Sequence, residues 1–255
     1  YIIAGDIRYS HLLAFLIAAA IIGSFSSTRI SRLASYLLLF SPRFFFILEN
    51  AWTEPLMIML FALLIWTCIH HPRYRFIALG LLFASKQYFL VMFPVVFLLF
   101  DKNPKPKDLV RPVLTTITTA AAVTLPLALL NFKKFIWDVG EAQFYQPFRY
   151  DSMSYMVLLA INTDHLPSQY VGFGILVVSL LFVLLRGQHS PSGFAIGMAF
   201  CLTMFFAFSK QAFANYYFLV IGILACALSA LSIEHSNTEI IRRSNSSNVE
   251  SDQIA

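Results

Sequence analysis

Apolar residues in this chain gather into long, nearly unbroken runs, not the alternating or one-faced patterns of a soluble domain. The runs cover approximately 11–25, 33–48, 55–69, 76–100, 112–131, 169–185, 191–208 and 212–233. Several approach the ~20 residues that an α-helix needs to cross a bilayer. A helix apolar on all sides must be surrounded by protein or lipid. The pattern therefore predicts an all-α, polytopic transmembrane helix bundle over 1–235, with about eight to nine membrane segments. The tail 236–255 is polar, rich in Ser and Asn and without periodicity, and is expected to be disordered and cytoplasmic.

Two polar interruptions modify this reading. Lys86 breaks the run 76–100 in the context Ala84-Ser85-Lys86-Gln87-Tyr88, and the same tripeptide recurs at Ser209-Lys210-Gln211 between two further runs. A lysine near the bilayer centre costs roughly 2.5–3.5 kcal/mol on insertion scales, so it usually faces a polar cavity or an anionic partner. The connecting segments also differ in charge. Arg29, Arg32, Arg73, Arg75, Lys102, Lys105, Lys107, Arg111, Arg186, Arg242 and Arg243 flank one set of helix ends, which the positive-inside rule makes cytoplasmic. Those segments share a side only if 76–100 crosses an even number of times. The expected solution is a helical hairpin, 76–85 and 88–100, turning at Lys86-Gln87; the alternative is a single tilted span with Lys86 snorkelling, which would break the charge pattern.

The opposite side then receives 1–10, 48–54, the Lys86 turn, the long loop 132–168 and 209–215. With them go the acids Asp6, Glu49, Glu54, Asp138, Glu141, Asp151 and Asp164, and the cations Arg8, Lys133, Lys134, Arg149 and Lys210. Loop 132–168 is too aromatic for disorder and is expected to form short amphipathic helices on the membrane surface, an extracytoplasmic subdomain.

Composition agrees with the membrane reading. The chain is 58% hydrophobic and only 12% charged, against about 25% charged in soluble domains. Cys68, Cys201 and Cys226 lie inside apolar runs without metal-ligand spacing and read as small hydrophobes. The net charge of +5 reports topology and calls for no nucleic acid. The chain starts at Tyr1 without a signal-peptide pattern and reads as a fragment or processed chain whose N-terminal part lies upstream.

Candidate chemistry lies on the loop-rich side. In Glu49-Asn50-Ala51-Trp52-Thr53-Glu54-Pro55, Pro55 suits the first turn of a helix. Glu54 is either an acid complementing the helix dipole or a catalytic acid or metal ligand, and the residues alone leave both open. Gln143, Gln146, Arg149 and Asp151 combine amides, a carboxylate and a phosphate-clamping guanidinium beside aromatic rings. Lys210 and Tyr216 form a last cluster, and His70 and His71, on the basic side, are set aside as metal ligands.

Three stretches resemble the GT-C superfamily of membrane glycosyltransferases, especially its bacterial aminoarabinose-transferase and protein O-mannosyltransferase branch. They are Trp52-Thr53-Glu54-Pro55-Leu56-Met57-Ile58, Leu79-Gly80-Leu81-Leu82-Phe83-Ala84-Ser85-Lys86 with the apolar run to Pro94, and 206–219 with Lys210 and Tyr216. The resemblance implies inverting transfer of a sugar from a polyprenyl-phosphate donor to a lipid, glycan or protein acceptor, at the outer face of a bacterial inner or plasma membrane. It implies that Lys86, Lys210 and Arg149 bind the donor phosphate and that Glu54 orients the acceptor or holds a divalent metal ion. Gln87, Gln146, Asp151 and Tyr216 would contact acceptor or sugar. The family's usual catalytic base, an acid in the first outer loop, is expected upstream of Tyr1. Competing readings are a secondary transporter for an anionic solute and a non-catalytic membrane subunit.

Overall fold

The computed structural model describes residues 5–163, 165–168 and 170–254, with side chains described except at 143 and from 240 onward. Asp164, grouped above with the loop-side acids, lies outside the described residues, as does the side chain of Gln143. Helices are the regular secondary structure among the described residues. In chain order they are α1 (Ile7–Gly23), α2 (Arg29–Leu39), α3 (Phe44–Glu49), α4 (Glu54–His70), α5 (Arg75–Phe83) and α6 (Gln87–Val91). After these come α7 (Pro106–Leu130), α8 (Phe132–Ile136), α9 (Ala142–Tyr145), α10 (Tyr155–Thr163), α11 (Tyr170–Arg186), α12 (Pro191–Ala207) and α13 (Ala214–Ile254).

The chain turns back at Lys86, whose extended backbone (φ −153°, ψ 141°) ends the helical path begun in α5. Ring pairs across the two limbs, Phe83 with Phe93 at 6.2 Å and Phe76 with Phe100 at 5.3 Å, show that they run antiparallel side by side. The second limb departs from the continuous helix expected over 88–100. It is one α-turn followed by a 3-10 stretch, Phe93–Leu99. Pro94 lacks an N–H and its ring clashes with the preceding turn, which breaks α-geometry there.

The core is formed by α1, α4, α12, α13 and the hairpin, with large buried rings at Phe15, Phe61, Phe89, Phe194 and Phe218. α13 lies so close to α4 that a Cβ on Gly222 would come within 2.5 Å of the Ile58 side chain. Both helices start at the same end of the bundle, so this close approach brings their first turns together. α7 is peripheral. It meets α5 through Thr116, whose hydroxyl donates to the Phe76 carbonyl at 3.3 Å, and only 11% of its apolar window is buried.

Contacts sort the connections into two ends. At one end, a His70 ring nitrogen meets the Phe25 carbonyl at 3.1 Å and a His189 ring nitrogen meets that of Phe100 at 2.8 Å. There too, Glu234 accepts from the Ser192 N–H at 2.9 Å. The basic loops lie at this end. The opposite end gathers the Lys86 turn, the start of α4, the stretch 131–163 and the 208–213 turn.

Two helices are long and apolar enough to cross a membrane, Pro106–Leu130 and Ala214–Glu239 of α13. α1, α4, α11 and α12 are apolar but have 17 residues each, about 25 Å at 1.5 Å per residue. The eight to nine spans expected from the runs are thus not found as full-length helices, because α2 has only 11 residues and 76–100 is split at Lys86. The segment 132–145 is helical, with a π-helical turn at Trp137–Glu141 between α8 and α9. α13 continues to Ile254, through the polar stretch expected to be disordered. Once a helix is nucleated, each further residue adds a hydrogen bond at little cost, so propagation carries it past the apolar run.

Candidate functional site

Glu54 opens α4 and is completely buried. The chain reaches it through a tight helix end. α3 closes with Ala51 in the left-handed region (φ 52°), while the N–H of Trp52 donates to Ile47 O at 3.2 Å and that of Ala51 to Leu48 O at 3.0 Å. This is the bond pattern of a Schellman cap, with alanine where glycine is usual. A non-glycine residue here costs roughly 1–2 kcal/mol, and such strain tends to collect at functional sites.

Glu54 Oε1 accepts from Asn215 Nδ2 at 2.9 Å and lies 3.7 Å from Lys86 Nζ. The lysine supplies the cation from the hairpin turn, its side chain 29% exposed. The asparagine comes from the first turn of α13, held there by the Gly222–Ile58 approach. Tyr88 and Tyr216 meet edge to face with centroids 6.3 Å apart, and both lie within the field of the Glu54 carboxylate. His11, buried on α1, feels the same charge.

Eight buried side-chain polar atoms have no protein partner among the described residues, and five belong to this cluster. They are His11 Nδ1, Thr53 Oγ1, Glu54 Oε2, the Tyr88 hydroxyl and Asn215 Oδ1. More than about 90% of buried polar groups are normally paired, and leaving one unpaired costs roughly 1–3 kcal/mol. Oxygens dominate the set, and the Asn215 amide is oriented by its bond to Glu54 so that its own oxygen stays open. The cluster is suited to a ligand that donates hydrogen bonds.

Beside it is a cavity of about 280 Å³ that shares Tyr88 and Tyr216 with the cluster. Phe144, Phe173, Phe205 and Phe206 supply apolar walls, and Gln87, Gln146, Ser209, Lys210 and Gln211 the polar ones. Gly172 of α11 lets the helix back onto the 208–209 turn, since a Cβ there would sit 2.7 Å from Phe208 O.

The second Ser-Lys-Gln turn fastens the cavity wall. Lys210 Nζ donates to the carbonyls of Phe144 (3.0 Å) and Gln146 (2.8 Å), and Gln211 Nε2 to that of Pro147 (2.9 Å). The strap continues as Met153 N–H to Ala212 O (2.6 Å) and the Tyr217 hydroxyl to Met153 O (2.6 Å). Partial burial draws the Lys210 ammonium below the ordinary lysine range.

The structure thus brings Glu54 and Lys86 into contact and sets Gln87, Gln146, Lys210 and Tyr216 around the adjoining cavity. It does not bring in Arg149 or Asp151. These form an exposed two-pronged pair, 2.8 and 2.7 Å, with the guanidinium over the Phe213 ring at 5.2 Å. Arg149 stands at the surface, outside the cavity lining, with its planar fork engaged by the carboxylate two residues away. Those hydrogen bonds hold the Asp151 carboxyl below its usual value. Lys210 lines the cavity, but its ammonium serves backbone carbonyls. Among the described residues no three His, Cys, Asp or Glu side chains are grouped to hold a metal ion.

His11, Thr53, Tyr88 and Asn215 complete the site and were not selected from sequence. A signal existed for His11, since a lone histidine in an apolar run carries the same message as Lys86. Tyr88 and Asn215 adjoin selected residues, but nothing in the sequence distinguishes a buried partner from its exposed neighbours. Comparison of the chain with protein-family models, with curated proteins and with solved structures finds no match.

Proposed function

We propose that the protein is an integral-membrane glycosyltransferase, moving a sugar from a polyprenyl-phosphate donor to an acceptor at the end that carries Glu54 and Lys86. The membrane part of this reading draws support from the surface. Leu129, Leu130 and Leu185 are 76–83% exposed, and large apolar residues along α7 and α11 lie open in the same way. Soluble monomers rarely expose apolar patches beyond a few hundred Å². Segregation of the basic loops to the far end supports a cytoplasmic setting for that end.

One observation carries the transferase reading. A buried carboxylate, with one oxygen held by Lys86 and Asn215 and the other unpartnered, connects to an aromatic cavity through Tyr88 and Tyr216, which line that cavity and feel its charge. The free oxygen, buried in this structure, keeps an acceptor position that a hydroxyl could fill. The aromatic faces suit the apolar face of a sugar ring. Lys86 supplies a fixed cation in a low-dielectric setting, where charge developing on a departing phosphate is strongly stabilised. Lys210 contributes by holding the wall.

A second reading, a transporter for an anionic solute, draws on the break at Lys86 and the intramembrane ion pair beside it. Binding of a polyprenyl-phosphate sugar to the purified protein separates the two. Wild-type protein should be thermally stabilised by the lipid and form product with acceptor. Lys86→Met should lose most of the binding, while Glu54→Gln should bind and form no product. Unchanged binding by Lys86→Met overturns the transferase assignment, and Lys86-dependent anion uptake into vesicles would install the transporter instead. Cysteines introduced at 105 and 146 should be labelled from opposite sides of the membrane.

A further inference from the structure

The helical stretch 132–145 has two faces, and only one belongs to the aromatic cavity. Val139, Gly140 and Phe144 wall that cavity. The other face carries an open groove of about 580 Å³ lined by Asn131, Phe132, Lys133, Lys134, Ile136, Trp137 and Glu141. The π-helical turn at Trp137–Glu141 widens the helix between them and fixes the two faces in one short segment.

We infer that this groove binds the headgroup of an anionic phospholipid of the surrounding bilayer, an inference that rests on the membrane reading above. Three observations commit the groove to lipid. First, it begins where α7 ends, and Leu129 and Leu130 at that end are exposed, so the groove continues a face already open to acyl chains. Second, Phe132 (65% exposed) and Trp137 (44%) bracket the two lysines, with the indole steadied by stacking on Tyr145 at 5.3 Å. Aromatic rings with lysines at a helix end are how proteins anchor at the headgroup level. Third, two lysines and one glutamate line the groove, and among the described residues neither lysine is in an ion pair. The resulting positive balance favours a phosphate that carries its charge uncompensated over a zwitterionic headgroup. Because the same helix walls the cavity, lipid in the groove braces the site from behind.

Trp137 supplies its own reporter. The chain has three tryptophans, so Trp52→Phe and Trp66→Phe leave only Trp137, and the full chain is placed in phosphatidylcholine nanodiscs. A fixed fraction of brominated phosphatidylglycerol should quench Trp137 more strongly than the same fraction of brominated phosphatidylcholine. Lys133→Gln and Lys134→Gln should each weaken that preference roughly fivefold, and together abolish it. Native mass spectrometry of the chain with its tryptophans intact gives a second measurement, in which phosphatidylglycerol should be retained over phosphatidylcholine. Equal quenching and equal retention of the two lipids overturn the headgroup site while leaving the membrane reading intact. A chain that does not enter bilayers overturns both.

Discussion

The two Ser-Lys-Gln turns are identical in sequence and opposite in use. At 85–87 the turn ends a helix inside the bundle, and the ammonium of Lys86 lies 3.7 Å from a fully buried carboxylate. At 209–211 it links two long helices, and the ammonium of Lys210 binds the Phe144 and Gln146 carbonyls of a surface stretch. What differs is what faces each lysine. Lys86 meets a formal charge that cannot reach water, so its own charge is needed where it stands. Lys210 meets the carbonyls of a surface stretch at a partly exposed rim, where it ties that stretch in place. A tripeptide repeated along an apolar chain therefore says little until its surroundings are known.

Removing the Lys86 charge should produce the largest effect. Breaking a buried ion pair from one side costs on the order of 3–5 kcal/mol. The partial exposure of Lys86 puts Lys86→Met toward the lower end of that range. Adding Glu54→Gln to Lys86→Met should recover much of the loss, since no uncompensated charge is left. Unfolding in detergent, monitored for both single variants and the double, closes this thermodynamic cycle. A double variant no more stable than Lys86→Met would mean that the two side chains are neighbours without electrostatic coupling.

Asn215, the hydrogen-bond partner of this pair, comes next. Asn215→Leu leaves Glu54 Oε1 without its hydrogen bond at 2.9 Å, and a buried acceptor so abandoned costs about 1–3 kcal/mol. The same unfolding measurement checks it. If the loss vanishes in a Glu54→Gln background, the asparagine acts through the carboxylate. If it persists, Asn215 has a separate packing role.

Lys210→Met should cost less, about 1 kcal/mol, because the carbonyls it leaves lie near solvent. Its effect should be local. Backbone amides over 144–153 should exchange faster, while those of α4 and α12 should not. Uniform loss of protection along the chain would make this turn part of the core and erase its contrast with Lys86.

Much of the architecture was legible in the sequence because its signals were local. The apolar runs announced the helices, Lys86 announced the fold-back, and Pro55 announced the start of α4. The charge pattern correctly grouped the loops into two ends. What escaped depended on tertiary detail. The second hairpin limb became 3-10 because Pro94 acts through geometry that a hydropathy run does not register. Arg149 has the aromatic and polar context of a phosphate ligand, and its pairing with the carboxylate two residues on is a local contact that residue type does not announce. The orphaned oxygens around Glu54 come from α4, α6 and α13, and His11 adds a nitrogen from α1. No spacing rule links those positions, and only the close passage of α13 over α4 brings Asn215 to the carboxylate.

The smallest effect should come from the exposed pair, which serves as a control for the buried one. Asp151 and Arg149 share hydrogen bonds of 2.7–2.8 Å, shorter than the Lys86–Glu54 separation, yet both side chains are about half exposed or more. Water and salt screen such pairs, so good geometry alone does not make them stabilising. The sign of any pH effect follows from the Asp151 carboxyl lying below its usual value through its bonds to Arg149. A depressed carboxyl contributes stability above its ordinary value of about 4 and loses it as pH falls through the lower folded value. Asp151→Asn should therefore leave the unfolding midpoint unchanged at pH 7 within error and slightly flatten the loss of stability below about pH 4. Unfolding midpoints collected from pH 7 to pH 3, with and without added salt, test both parts. A loss at pH 7 comparable to that of Lys86→Met would show that this surface pair anchors the loop, and that burial is not what separates strong from weak charge pairs in this protein.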